Sequence, residues 1–360
     1  FIIDISRMDE NVIKTDWTLF EYSINTFDKI IRKNSLNSFN KKWDLEQKNR
    51  IKWFGFRDRY FATIVQPKFN IDKYQITAIS NNELDIGSQI YYENVLPKQE
   101  IELKFYVYAG PQKLEDLQIG NNDYQKIMVF SNWGWLDTVA KFIYGLLGFT
   151  YKIIPIWGLC IIIVSIFIYA LMYPLTLKSL LSMKRMQILQ PKIKEIQEKY
   201  NKNPEKLNQE IMELYRKHGV NPLGGSLPML LQMPIFVGLY QVLWRSFYFR
   251  GEKFLWIQDL SLPDRLVKLP VKLPFIGEYF NLLPVLMIGI MVLQQYFSSK
   301  NVIITDPQQA TQQKIMTIFF PIFIGFIFYN FASGLNLYFV VFYLLSTLTQ
   351  WRIAQDKCGV

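Results

Sequence analysis

The sequence predicts an α-helical membrane protein, a five-helix core carrying a cytoplasmic helical hairpin, joined to an N-terminal extracytoplasmic β-sandwich. Three observations predict it. Ile153 to Leu175 form a stretch of twenty-three residues without a charge, and roughly 20 apolar residues at about 1.5 Å each cross a hydrocarbon layer of about 30 Å. Four more charge-free apolar segments follow, at 226–244, 279–297, 315–331 and 335–351. Residues 1–130 instead alternate short apolar runs with polar turns, which holds the mean hydropathy of the whole chain to +0.08.

In residues 1–130, runs such as Ile101-Glu-Leu-Lys-Phe-Tyr-Val-Tyr108 and turns such as Ser80-Asn-Asn-Glu83 have the period of half-buried antiparallel strands. The sequence opens at Phe1 on polar, β-rich residues, so a targeting or anchoring segment is expected ahead of it, and the sandwich is expected to be incomplete on that side. Residues 131–152 place Trp135, Leu136, Val139, Phe142, Ile143, Leu146 and Leu147 at helical spacing, with Asp137, Thr138 and Lys141 opposite. A segment this short and this polar is expected to lie along the membrane interface.

Residues 153–352 make the helical core. Its first connection, 176–221, holds ten Lys/Arg against five Glu, which by the positive-inside rule makes it cytoplasmic. Loop 245–280 has six Lys/Arg against four acids, and parity then puts the β domain outside and the C-terminus inside. Within 176–221, Met186, Leu189, Ile193, Ile196 and Tyr200 are spaced 3, 4, 3 and 4 apart, and Leu207, Ile211 and Leu214 resume after Asn201-Lys-Asn-Pro204. The spacing predicts two short helices in an antiparallel hairpin, with Asn203 as N-cap, Pro204 in the first turn and Gly219 at the end. Each of the last two apolar segments has 17 residues, about 25 Å of helix, which thins lipid locally or favours association.

Composition excludes several classes. The net charge of +10 beside apolar runs suits anionic headgroups better than nucleic acid. Cys160 and Cys358 are expected at different depths, so neither a disulfide nor a zinc site is implied, and His218 is the one histidine. With no believable nucleophile–base pair, paired carboxylate or phosphate loop, no catalytic residue, metal or cofactor is expected. No Asp or Glu falls in the five apolar segments, which counts against an ion-coupled transporter. They do carry uncharged polar residues: Ser165, Tyr169, Gln232, Gln241, Gln294, Gln295, Thr317, Tyr329, Asn330, Asn336, Ser346 and Thr347. Such groups seek partners or water in a membrane, and their spread over five helices suggests a shared polar concavity. Prolines 222, 228, 234, 284 and 321 add kinks or local polarity.

Six stretches in order carry a resemblance: Met172-Tyr-Pro-Leu-Thr176, Met186-Gln-Ile-Leu-Gln-Pro-Lys-Ile193, Val220-Asn-Pro-Leu-Gly-Gly225, Leu231-Gln-Met-Pro-Ile-Phe236, Thr305-Asp-Pro307 with Gln312-Gln-Lys-Ile-Met316, and Ser333-Gly-Leu335. Over about residues 130–352 the chain resembles the YidC family of membrane protein insertases. More loosely, Tyr60-Phe-Ala-Thr63 and Tyr108-Ala-Gly-Pro111 look like the periplasmic domain of its Gram-negative members. The resemblance implies a hydrophilic groove open to cytoplasm and lipid, and a further N-terminal anchor helix, expected ahead of Phe1. It also implies insertion and folding of nascent membrane proteins in the bacterial inner membrane, alone or beside the Sec translocon, with ribosome or signal recognition particle components as further partners and no nucleotide consumed.

Ser165, Tyr169, Gln232, Gln241, Thr317, Asn336 and Phe339 are the expected groove residues, of which Ser165 and Phe339 match groove positions of the family. Lys184, Arg185, Met186 and Pro191 are the candidate residues of the hairpin. The family typically places an arginine five residues before the Pro of Tyr-Pro-Leu-Thr, where this chain has Tyr169. A hydroxyl offers no positive charge to an acidic tail, so polarity, hydration and bilayer thinning are expected to carry insertion. Two rival readings are a solute transporter or channel with an external β domain, and an assembly scaffold for secretion machinery.

Overall fold

The computed structural model describes residues 21–33, 51–69, 73–78, 86–91, 102–118, 122–201, 203–220, 227–273, 276–299 and 315–355. The chain divides into two compact units, residues 1–129 with 245–248, and residues 130–244 with 249–360. The matched stretches at 221–225, 305–307 and 312–314, the turn at 80–83, Pro222 and Cys358 lie outside the described residues.

The N-terminal unit is built on seven strands: β1 Glu21–Thr26, β2 Ile30–Lys33, β3 Ile51–Arg57, β4 Phe61–Pro67, β5 Lys73–Ala78, β6 Ile86–Tyr91 and β7 Phe105–Pro111. Five of them form an antiparallel sheet in the order β2-β1-β3-β4-β7, and β5 pairs with β6. Among the described residues β5 and β6 form a separate two-stranded sheet. The motif stretches Tyr60-Phe-Ala-Thr63 and Tyr108-Ala-Gly-Pro111 are cross-strand partners, with Phe61 opposite Pro111, Ala62 opposite Gly110 and Thr63 opposite Ala109. The run from Ile101 becomes strand at Phe105, later than its alternation suggested.

Every residue of β1 is buried, so this strand is covered on both faces, whereas Tyr106 and Val107 of edge strand β7 are exposed. Its core holds Tyr22, Ile24, Trp53, Phe54, Phe56, Ile64, Leu117 and Ile127. The sheet also buries a charge pair that alternation alone does not reveal: Arg57 Nη2 donates to Glu21 Oε2 at 2.5 Å, with both side chains 4% exposed. Arg57 Nη1 reaches Gln112 Oε1 at 3.5 Å, and Arg32 stands 3.8 Å from the same glutamate. At the surface, Lys52 and Lys126 donate to Asp123 at 2.7 and 3.1 Å and hold its carboxyl below the usual range.

The second unit is helical: α1 Gly134–Ile153, α2 Trp157–Tyr200, α3 Pro204–Lys217, α4 Leu227–Arg245, α5 Leu282–Ser299, a π-helical turn Ile315–Phe319 running into α6 Phe320–Phe328, and α7 Ser333–Gln355. A short hairpin, β8 Val267–Leu273 with β9 Gly277–Phe280, lies between α4 and α5. Among the described residues, one helix is by length and composition apolar enough to cross a membrane, Trp157–Met186, in which an 18-residue window has mean hydropathy 2.3; Leu282–Ser298 and Thr317–Phe328 are shorter apolar helices.

Several boundaries have visible causes. Asp137 accepts from Phe130 N at 2.8 Å and Ser131 N at 3.4 Å and pairs with Lys141, holding the start of α1. Pro155 separates α1 from α2, because it donates no amide to a continuing helix. Pro321 leaves the carbonyl of Thr317, four residues back, without its helical donor, and the backbone there widens into the π turn. The hairpin differs from its expected form. Its first arm is not a separate short helix but the far end of the 44-residue α2, about 66 Å long. The hairpin packs around Leu189 and Ile193 of α2 and Val220 beyond the end of α3, with Met186, Ile211, Leu214 and Tyr215 partly buried against them. Asn203 caps α3 by accepting from Lys206 N at 3.1 Å, Pro204 opens it, and Gly219 takes the φ of +61° that follows its end.

Two stability outcomes follow from this packing. Arg57→Leu leaves the buried Glu21 carboxylate without its direct partner, which costs about 3–5 kcal/mol and should lower the denaturant resistance of the N-terminal unit in the full chain. A Cβ at Gly158 would run into the ring of Phe254. Gly158→Ala should therefore destabilise the helical unit by about 1–3 kcal/mol in detergent unfolding, with partial recovery when combined with Phe254→Leu; an unchanged single variant would show that Phe254 moves freely.

Candidate functional site

The polar residues of the apolar helices converge on α7. On α2, Tyr169 is buried, and its hydroxyl lies 2.6 Å from Thr349 Oγ1. Thr349 gives its one proton to the carbonyl of Leu345 at 3.1 Å, so Tyr169 is the donor of the pair. The Tyr169 ring also stands edge-on to Phe342, with centroids 5.5 Å apart. On α4, Gln232 Nε2 donates to the hydroxyl of Tyr338 at 2.9 Å. On α5, Gln294 Nε2 donates to Ser346 Oγ at 2.8 Å. Three helices thus each reach α7 through one neutral side-chain hydrogen bond.

The other expected groove residues take different places. Ser165 is fully buried and turns back on its own helix, donating to Ile161 O at 2.6 Å, so it makes no link across the bundle. Asn336 is fully buried near the start of α7 and donates to Phe328 O at 3.1 Å. Phe339 closes an aromatic cluster, its ring centroid 5.6 Å from Phe236 and 4.9 Å from Phe328. Gln241 is half-buried on α4, and Thr317 is half-buried on the π turn. Among the described residues, Gln232 Oε1, Gln241 Oε1, Asn336 Oδ1 and Gln350 Oε1 are buried acceptors with no hydrogen-bond partner. Buried acceptors normally find a donor, from protein or from water, so these four oxygens have capacity for one.

Thr349 and Tyr338 were not among the expected groove residues. Tyrosine counts as apolar in a hydropathy pattern, and only contact with Gln232 reveals Tyr338 as a polar partner. Thr349 lies three residues beyond Ser346 in Leu345-Ser-Thr-Leu-Thr349, a spacing that puts both on adjoining turns of one helix face and was the available signal.

At one end the bundle is stitched by the loop between α4 and α5. Leu262 O and Leu260 O accept from Ser333 N at 2.7 Å and Gly334 N at 3.0 Å, and Ser333 Oγ donates to Asp259 O at 2.9 Å, which satisfies the start of α7. Asp264 Oδ2 accepts from Leu282 N and Leu283 N at 2.7 and 3.0 Å and so caps α5 with a carboxylate. Asn281 donates to the carbonyl of Tyr329, whose hydroxyl lies between Asn281 N and Tyr279 O.

At the opposite end, Lys184 Nζ donates to Ile353 O at 3.1 Å, giving the last turn of α7 a cation. Arg185 and Pro191 are exposed, and Met186 packs into the hairpin. In α3, Lys217 donates to Glu213 at 2.9 Å and holds that carboxyl below its usual range, a surface pair of little energetic weight.

Comparison with known proteins agrees with this architecture. The family described as "60Kd inner membrane protein" matches residues 149–358, and the one described as "YidC periplasmic domain" matches residues 4–146. A protein of Chlorobaculum tepidum named "Membrane protein insertase YidC" is 33% identical over 86% of this chain and 52% of its own length. One of the same name from Geobacter sp. strain M21 is 36% identical over 84% of this chain and 52% of its own length. The chain spans about half the length of these curated relatives. A solved structure described as "Active YidC insertase crystal structure with the first transmembrane domain resolved" aligns with 95% of this chain and 72% of its own at a TM-score of 0.48 and 22% identity. With one family model covering residues 149–358, more than half of the sequence, and a second covering the β-rich N-terminus, the chain belongs to the YidC family of membrane protein insertases.

Proposed function

We propose that this chain inserts membrane proteins, by taking a nascent hydrophobic segment at the cytoplasmic side, holding its polar flank between the helices and releasing the segment sideways into lipid. The observation that carries the reading is the set of neutral hydrogen bonds around α7, in helices whose apolar stretches contain no Asp, Glu, Lys, Arg or His. A polar interior without fixed charge can solvate a passing hydrophilic segment without trapping it. No covalent bond is broken.

In this reading α2, α4, α5, the π turn with α6, and α7 are five crossings of a bacterial inner membrane. Residues 1–130 form a periplasmic β-sandwich domain, residues 131–152 an interfacial helix, and residues 153–352 the insertase core, with 176–221 as a cytoplasmic hairpin. Exposed Trp133, Trp135, Phe142 and Phe149 beside buried Leu136, Ala140, Ile143 and Leu147 support α1 lying along lipid with one flank on protein. The basic balance of 176–221 supports the orientation, and Arg185 and Pro191 are available there to a ribosome, to signal recognition particle components or to the Sec translocon.

Ser165, Tyr169, Gln232, Gln241, Thr317, Asn336 and Phe339 are proposed to line the groove, with Thr349 and Tyr338 added to them. The structure then corresponds to a closed groove, and its fastenings are weak. A neutral hydrogen bond contributes about 0.5–1.5 kcal/mol net, so α2 can part from α7 at small cost and expose the two hydroxyls. A buried ion pair at the same place would oppose opening, because separating it leaves an uncompensated charge.

Two experiments test the proposal. In vesicles reconstituted with the chain, a small membrane protein with a short external tail should insert faster than in empty vesicles; equal rates would remove the insertase reading, and ion-gradient-driven solute uptake by the same vesicles would favour a transporter. At Tyr169, loss of one hydrogen bond should make Tyr169→Phe accumulate normally. Tyr169→Arg should also accumulate and extend insertion to acidic tails, since a hydrated groove solvates the guanidinium. If the arginine variant fails to accumulate while the phenylalanine variant is normal, the site is dry packing and the groove assignment fails.

A further inference from the structure

The hairpin between α4 and α5 is not used by the groove. Val267 pairs with Phe280 and Lys268 with Tyr279, but Leu273 pairs with Gly277, so residues 269–272 stand against Glu278 alone. This wide bulge contains Pro270, which has no amide to give a ladder. In the bulge Val271 is 65% exposed, and before it Val267 at the start of β8 is 55% exposed and Leu262 and Leu266 in the preceding loop 38% each. Arg265, Lys268 and Lys272 are interleaved with them and are exposed as well. Lys272 approaches Glu278 only to 3.9 Å, and the Arg265 guanidinium sits 5.4 Å from the centre of the Tyr279 ring. An open recess of about 250 Å³ is lined by Arg265, Lys272, Glu278, Tyr279, Asn281 and Asn330 among others.

Two features identify what covers this surface. One is continuity: β9 ends at Phe280 and α5 begins at Leu282, so the hairpin stands within two residues of an apolar helix, at the membrane surface if α5 crosses. The other is layered chemistry, since bare valines and leucines beside three cations match acyl chains beneath a sheet of phosphates, and long cationic side chains place stem and head in those two layers. We infer that the β8–β9 hairpin binds the lipid surface, with Val267 and Val271 among the acyl chains and Arg265, Lys268 and Lys272 on lipid phosphates. The inference rests on the reading of α4 and α5 as membrane crossings.

The test uses the full chain with Cys160→Ala and Cys358→Ala, in vesicles of phosphatidylethanolamine and phosphatidylglycerol, with an environment-sensitive fluorophore on Val271→Cys or on Ile166→Cys, a residue exposed on α2. Both labels should emit to the blue and lose intensity to brominated lipid but not to aqueous iodide. A lipid-quenched label at 166 with an iodide-quenched label at 271 overturns the hairpin inference alone, as does a label at 271 shielded from both quenchers by protein. A label at 166 that brominated lipid does not quench overturns the membrane reading beneath it. Adding Lys268→Gln and Lys272→Gln should shift the emission at 271 to the red; an unchanged emission overturns the assignment of those lysines to phosphate.

Discussion

The helical unit depends on one constraint: its central helix must satisfy polar side chains on several sides using neutral partners only. Tyr169, Gln232 and Gln294 come from three helices and meet Thr349, Tyr338 and Ser346 on α7. In a low-dielectric interior an unsatisfied polar group is costly, so each pair fixes the rotation of its helix about α7 more strictly than apolar packing would. Because each bond is individually modest, the same pairs specify this arrangement without locking it. Aromatic contacts among Phe236, Phe328 and Phe339 join α4, α6 and α7.

The ends of the bundle are held by a different chemistry. At the loop end, backbone carbonyls of residues 259, 260 and 262 and the carboxylate of Asp264 take up the amides and hydroxyl that open α7 and α5. Each helix start carries amides with no partner in its own helix, and here one loop serves two of them. At the hairpin end, Lys184 donates to the last turn of α7, and a small apolar cluster forms around Leu189 and Ile193.

Much of this was legible in the residues. The change of period after residue 130, the apolar segments, the N-cap at Asn203 and the turn at Gly219 are local properties, each set by a few neighbouring side chains. The long first helix was harder to see, because the switch from apolar to basic composition after Leu175 looks like a boundary although the backbone continues through it. Prolines 174 and 191 are both tolerated inside α2. The π turn at 315–319 was hidden for a related reason: a hydropathy window registers apolar length, not which carbonyl loses its donor.

The sequence by itself determined the division into a β-rich part and a helical part, the absence of fixed charge in the apolar segments, and the family, since all of these follow from residue types and their spacing along the chain. Only the tertiary structure decided that Tyr169 donates to Thr349, that Ser165 turns back on its own helix, and that Glu21 and Arg57 form a buried pair. Those partners lie on different helices or strands or compete with a nearby carbonyl, and which contact a hydroxyl or a carboxylate makes depends on how elements pack in space, a property that spacing along one chain does not contain.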